Sequence, residues 1–415
     1  MKLATRSLLF IAAALPLASS LVGQNVVTDW NTIASSTIVA HGGKGAGAAS
    51  VWFSYESIAV YDAVNSIHRE FKPFYYDGRC SRYASDEAAA VAAAHRILVY
   101  YFPGQRTSLD ASYAASLAQL VTTARAKTDG VAVGEAAAQA VIAARIGDGL
   151  EAAVPYMPGS GPGFWQPTPP GFLAAATPWL GQMRPFTLTS ASQFLPPGPY
   201  VLSTEEWAAN YNVTRLLGEK TGSVRTAGQT EIGLFWTENT SQQYARAFNY
   251  LVQHYRLDLM DSARMMAMLW TGSADSVIGC FNAKYTFNFW RPVTAIQAGG
   301  GNSELAADPA WTPLGTTPNH PEYPAAHACF TSGLSHLVED FFGTAKVHVV
   351  VDSLVFTDGV HTHTFENTAD WLDEVSWARV FAGFHFLHSL QDGSKLGESV
   401  AEHVKRTSFR REHRE

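Results

Sequence analysis

From Ala46 to about Arg69, apolar residues recur at steps of three and four, with Val51, Tyr55, Ile58, Ala59, Ala63 and Ile67 on one stripe. That period predicts a buried helix. Asp86 and Glu87 then open an alanine-rich stretch reaching Tyr101, where acidic residues suit the positive end of a helix dipole and Pro103-Gly104 ends the run. Thr107 to Arg125 and Gly134 to Leu150 repeat this alanine-rich pattern, as tightly packed bundle helices do.

Between Val154 and Pro199 prolines and glycines are too frequent for long regular elements. Phe164, Trp165, Phe172, Trp179, Phe186 and Phe194 are interspersed among them, and flexible linkers are polar, so this is read as an ordered crossover lying on the body. Ser203 and Glu206 have capping-box spacing, which starts a new helix near Thr204. Helical patterns follow over Gln229–His254, Asp261–Gly272 and Asp275 to about Ile296. A loop runs from Gly299 to Pro324, long enough to suggest function, and the next helix is expected to start at Pro324 and end near Gly343. Lys346–Val355 and Val360–Phe365 alternate apolar and polar residues around Thr357-Asp358-Gly359, the one hairpin signal in the chain. A last helix is expected from about Asp370 through His403.

These elements describe a mainly α fold of helical bundles with one small β-hairpin near 346–365. The expected division is a signal peptide at 1–23, an N-terminal helical region at 24–153, the crossover at 154–203 and a C-terminal catalytic region at 204–415. The two helical regions form one continuous globular unit. With 415 residues, 47% hydrophobic and 16% charged, the chain can bury a large core. The signal rests on Lys2 and Arg6 ahead of the apolar run Leu8–Leu17 and the small residues Ala18, Ser19 and Ser20; it implies export to the periplasm or beyond. Net charge is −7 and the basic residues are scattered, which excludes a nucleic-acid footprint. No later stretch is apolar for long enough to span a membrane. Cys80, Cys280 and Cys329 allow at most one intrachain disulfide, and no Cys-x-x-Cys occurs.

Three islands carry the candidate chemistry. In Lys284-Tyr285-Thr286-Phe287-Asn288-Phe289-Trp290-Arg291-Pro292 two cations flank aromatic residues. Their spacing returns to one face of a helix after two turns, so both could serve one anion, and burying both requires an anionic ligand or an acidic partner. In His320-Pro321-Glu322-Tyr323-Pro324-Ala325-Ala326-His327 the free N–H groups of a helix start form an anion cradle, with His327 projecting into it. In Ala378-Arg379-Val380-Phe381-Ala382-Gly383-Phe384-His385 the Arg and His lie about 120° apart on an ideal helix, so they converge only through a long side chain or a kink near Gly383. The pairs His385/His388 and His361/His363 are too few ligands for a zinc site. Gly43-Lys44-Gly45-Ala46-Gly47 lacks the Ser or Thr and the βαβ setting of a phosphate loop and reads as a turn before the first long helix.

Taken together the islands resemble the vanadium-dependent haloperoxidases and type 2 phosphatidic acid phosphatases, whose pattern is Lys-x6-Arg-Pro, then Pro-Ser-Gly-His, then Ser-Arg-x5-His-x3-Asp. The likeness is densest between Ala274 and Gly397, and Ala59–Asn65 and Gly163–Pro170 are similar to bacterial haloperoxidase-like members. The resemblance implies an oxyanion site in which Lys284, Arg291, Arg379 and the Ala326 N–H hold vanadate or phosphate. His385 is then the ligand to vanadium or the phosphate nucleophile, His327 the general acid–base, and His320 a candidate halide-pocket residue. Four positions depart from the pattern: Ala325 for Ser, Ala326 for Gly, Ala378 for Ser, and Ser389 for the final Asp that orients the catalytic histidine. Losing the Ser hydroxyl removes a hydrogen bond worth on the order of 1–3 kcal/mol. Asp392, the nearest acid, is about 10 Å along a helix from His385.

The resemblance therefore implies a vanadate-dependent haloperoxidase taking hydrogen peroxide and a halide, bromide or iodide rather than chloride, with vanadate as cofactor. Two alternatives stay open: an exported phosphomonoesterase without a cofactor, cleaving a phosphate ester through a phosphohistidine, and a non-catalytic oxyanion-binding protein. A homo-oligomer is a further candidate assembly.

Overall fold

In the computed structural model, which describes residues 25–412, the alanine-rich patterns fold as long helices that approach one another closely. The expected signal peptide at 1–23 lies outside the described residues. The N-terminal half holds α1 (Val26–Ser35), α2 (Ala46–His68), α3 (Asp86–Tyr101), α4 (Arg106–Gln119) and α5 (Ala124–Arg145). α5 starts well before Gly134, because Thr123 caps it by accepting from the Ala126 N–H.

The crossover is irregular but pinned. Asp275, fully buried in the following half, accepts hydrogen bonds from the Phe186, Thr187 and Leu188 N–H groups and the Thr187 hydroxyl. Arg145 pairs with Asp148 at 2.7 Å and donates to the carbonyls of Arg184 and Pro185.

Beyond it come α6 (Glu205–Gly218), α7 (Ala227–Phe235), α8 (Thr240–His254), α9 (Leu259–Phe287), α10 (Pro292–Gln297) and α11 (Ala326–Phe342). The strands β1 (Val349–Ser353) and β2 (His361–Phe365) pair antiparallel with Val351 opposite His363, and α12 (Thr368–Phe381) and α13 (Leu387–Thr407) follow. α2 packs along α9, and α11 along α13. The second contact needs glycine: a Cβ on Gly397 would lie 2.3 Å from the Cys329 carbonyl oxygen. No described helix is long and apolar enough to cross a membrane.

Several expected boundaries shift, each for a local reason. The cap of α6 is Thr204, accepting from the Trp207 N–H, rather than Ser203. The segment Gln229–His254 is broken in two because Asn239 caps α8. Asp261–Gly272 and the start of the next pattern form one helix, α9, and that helix ends at Phe287 instead of running to Ile296. There Gly163-Phe164-Trp165 of the crossover pairs with the chain: the Trp165 N–H donates to the Asn288 carbonyl at 2.8 Å and the Trp290 N–H to the Gly163 carbonyl at 3.1 Å. Asn288 turns left-handed (φ 51°) to leave the helix. α11 begins at Ala326, after a cis Tyr323–Pro324 bond, and the expected last helix is two helices meeting at a corner.

Candidate active site

Lys284 sits in the last turn of α9 and Arg291 is the N-cap of α10, so they meet across the Asn288 turn and not along one helix. Both are fully buried. The Lys284 ammonium donates to the carbonyls of Pro321 (2.9 Å), Glu322 (2.8 Å) and Pro324 (2.5 Å), which fixes the loop ahead of α11. Arg291 donates from Nε to the His320 carbonyl, from NH1 to the Phe384 carbonyl and toward His385 Nε2 at 3.3 Å, and from NH2 to His320 Nδ1 at 3.0 Å. Burial pushes Lys284 down to about 8 and Arg291 down to about 10.

The third island turns a corner. α12 ends at Phe381, Gly383 adopts φ 75°, and α13 starts at Leu387, leaving His385 between the helices. A Cβ on Gly383 would stand 2.5 Å from the Gly218 carbonyl oxygen, so the corner fits only glycine. Arg379, 2% exposed, lies against the Phe384 ring and donates from NH1 to the Trp236 carbonyl at 2.5 Å, while its Nε has no partner. Burial, aided by Arg291, pushes it down to about 9.

His385 Nδ1 lies 2.8 Å from Glu322 Oε1. A carboxylate accepts there, so the proton belongs on Nδ1 and Nε2 keeps its lone pair. Burial, reinforced by Arg291, Lys284 and Arg379, holds the imidazole well below the ordinary histidine range and therefore neutral. Asp392 takes no part: it accepts from the Tyr323 hydroxyl at 2.6 Å and pairs with His388 at 3.2 Å.

These groups border a cavity of about 230 Å³. His320, Ala326, His327, Arg379 and His385 line it, whereas Lys284 and Arg291 lie behind the lining. His327 Nε2 is 2.9 Å from the Thr240 hydroxyl, and His327 and His320 are both held neutral, chiefly by burial and then by the nearby cations. Two long helices, α2 from Gly45 and α11 from Ala325, start at this cavity without a side-chain cap. Their first N–H groups lack intrahelical acceptors and carry the positive end of each dipole toward the space.

The structure thus brings Lys284, Arg291, His320, Ala326, His327, Arg379 and His385 into one region, five of them on the cavity and the two cations Lys284 and Arg291 behind it. It adds three features not read from sequence: Glu322 as the partner of His385, Thr240 as the partner of His327, and Gly45–Ala48 as a cavity wall. An acid set between prolines and two histidines was a signal for the first; the α2 turn carried none that set it apart from an ordinary loop. Among the described residues no group of three or more His, Cys, Asp or Glu is spaced to hold a metal ion, and His361 and His363 are instead paired with Glu231, Asp358 and Glu374.

Residues 264–412 match the family described as the VCPO second helical-bundle domain. A vanadium chloroperoxidase from Curvularia inaequalis is 24% identical over 198 residues, a stretch covering 40% of this chain and 32% of that protein. Along nearly its whole length the fold superposes on a bacterial vanadium-dependent iodoperoxidase, with TM-score 0.79, 21% identity, and 94% of this chain and 98% of that one covered. A holo-type bacterial vanadium-dependent chloroperoxidase aligns with TM-score 0.73 and 16% identity over the same shares. The chain has the vanadium haloperoxidase fold, with its C-terminal part matching the second helical-bundle domain.

Proposed function

We propose that the protein is an exported vanadate-dependent haloperoxidase, oxidising bromide or iodide in preference to chloride with hydrogen peroxide. The observation that carries this reading is the charge of the pocket: Lys284, Arg291 and Arg379 are buried around one carboxylate, Glu322, and Arg379 Nε is left without an acceptor. Buried cations in excess call for an anion. A tetrahedral oxyanion fits, since the uncapped start of α11 offers the Ala326 N–H and His385 offers an unprotonated Nε2 to a metal centre.

Vanadate held there supplies Lewis-acid activation of peroxide, so that peroxide, halide and a proton give hypohalous acid and water. The chain's own groups do the rest. Arg379 and the Ala326 N–H hold the oxyanion, Arg291 shares its charge through His385, and Lys284 adds positive potential while fixing the loop. His327, oriented by Thr240 and neutral at rest, can take a proton from bound peroxide. His320 lines the cavity beside Arg291, where a halide would find a positive field. The similar iodoperoxidase supports the softer halides.

The same unprotonated Nε2, which Arg291 NH1 approaches at 3.3 Å, would suit a phosphohistidine mechanism, so the test runs both activities on one preparation. Bromination and iodination of a phenol are measured with peroxide, with and without vanadate, beside hydrolysis of a phosphate monoester. Halogenation that needs vanadate and disappears in His385→Ala supports the proposal. Ester hydrolysis inhibited by vanadate, with no halogenation, replaces it with the phosphatase, and binding without either activity replaces it with an oxyanion carrier.

A further inference from the structure

We infer that Glu322 is the positioning residue of His385, a task moved from the helix after the histidine to the loop ahead of α11, with Ser389 converted into its anchor. The inference rests on His385 being the pocket's anion ligand, as proposed above.

Glu322 is fully buried and every part of it is held. Oε1 accepts from His385 Nδ1 at 2.8 Å and from the Phe386 N–H at 3.0 Å, and Oε2 accepts from the Ser389 hydroxyl at 2.7 Å. Its backbone N–H donates to the Phe289 carbonyl at 2.8 Å, and its carbonyl accepts from Lys284. One carboxylate therefore touches the histidine, the residue after it, and the first turn of α13.

Residue 389 is where an acid four positions past the histidine would stand. A serine there carries no charge to set against the Nδ1–H, but its hydroxyl can donate, and it donates to the carboxylate that accepts from Nδ1. Asp392, the other acid on α13, is committed to Tyr323 and His388. Glu322 thereby fixes the tautomer and ring plane of His385 and raises the basicity of the Nε2 lone pair. The placement also puts the orienting acid on the short loop that leads directly into the first turn of α11, where the Ala326 N–H and His327 stand, and Lys284 clamps that loop through three carbonyls.

The test compares wild type, Glu322→Gln, Ser389→Asp and the Glu322→Gln/Ser389→Asp double variant. Calorimetry measures binding of vanadate and of inorganic phosphate, ¹⁵N spectra of labelled histidine report the His385 tautomer, and Tm monitors the fold. Glu322→Gln should weaken both anions on the order of 10- to 100-fold, as loss of a ligand's outer partner does. It should also shift the His385 nitrogens. The double variant, with a carboxylate restored from α13, should recover most of the affinity and the nitrogen shifts, while Ser389→Asp alone crowds two acids and should bind anions more weakly than wild type. Unchanged affinity and nitrogen shifts in Glu322→Gln overturn the inference. So does a loss of affinity that tracks a fall in Tm and is not recovered in the double variant, which would assign Glu322 to the fold. These readouts do not use turnover, so a wild type that binds both anions without halogenating would overturn the proposed function and leave this inference standing.

Discussion

Arg379 reaches the Trp236 carbonyl from NH1 at 2.5 Å and leaves its buried Nε with no acceptor. A guanidinium half satisfied inside the protein is costly unless a ligand completes it. Arg379→Met should therefore lower vanadate or phosphate affinity on the order of 10- to 100-fold, the value of a hydrogen bond to a charged group. The same change should not lower the Tm of the anion-free protein, since replacing an uncompensated buried charge with an apolar side chain is neutral or stabilising. Calorimetric titration and thermal melts measured with and without phosphate check both halves.

Thr240 and His327 form the second pair to probe. The hydroxyl at 2.9 Å from Nε2 orients an imidazole that burial keeps neutral. Thr240→Val keeps the shape and removes the partner. Halogenation kcat should fall by up to about 100-fold, within the contribution of a general acid–base, while calorimetric vanadate affinity stays near that of wild type.

The corner at Gly383 is a prediction about stability. Its left-handed φ and the 2.5 Å approach a Cβ would make to the Gly218 carbonyl combine two penalties. Gly383→Ala should cost roughly 2–4 kcal/mol in chemical denaturation. Oxyanion affinity should fall with it, because the corner sets the separation of Arg379 and His385.

Glu56, buried in α2, predicts a pH dependence away from the site. Burial pushes its carboxyl from the ordinary 4.5 up to about 8. The folded state then holds a proton between those values that the unfolded state has released, so this group's contribution to stability falls as pH rises from about 4.5 to about 8 and then levels. Glu56→Gln lacks that slope. The Tm of the variant should gain on wild type as pH increases across this window, and a gap that does not change with pH would contradict the assignment.

Periodicity revealed the helices because their buried stripes repeat regardless of partner: α2, α3 and the β1–β2 hairpin lie where the pattern puts them. What it missed arises from contacts between distant segments. Nothing local to Phe287–Arg291 announces that Phe164 will pair with Phe289 and end α9. Lys284 and Arg291 meet across the Asn288 turn and not along the common helix that their seven-residue spacing implies. The corner near Gly383 was legible because the Arg379–His385 spacing does not close on a straight helix. Glu322 was visible as an acid between prolines, but its alignment with His385 depends on two segments 63 residues apart meeting at the corner.

Everything proposed for this cavity depends on its binding one tetrahedral oxyanion with His385 Nε2 as the ligand. Calorimetric titration of vanadate into wild type and His385→Ala measures this. One site is expected in the wild type, displaced by phosphate, with a large loss of affinity in the variant. Vanadate binding of equal strength in both proteins, or none in the wild type, would contradict it.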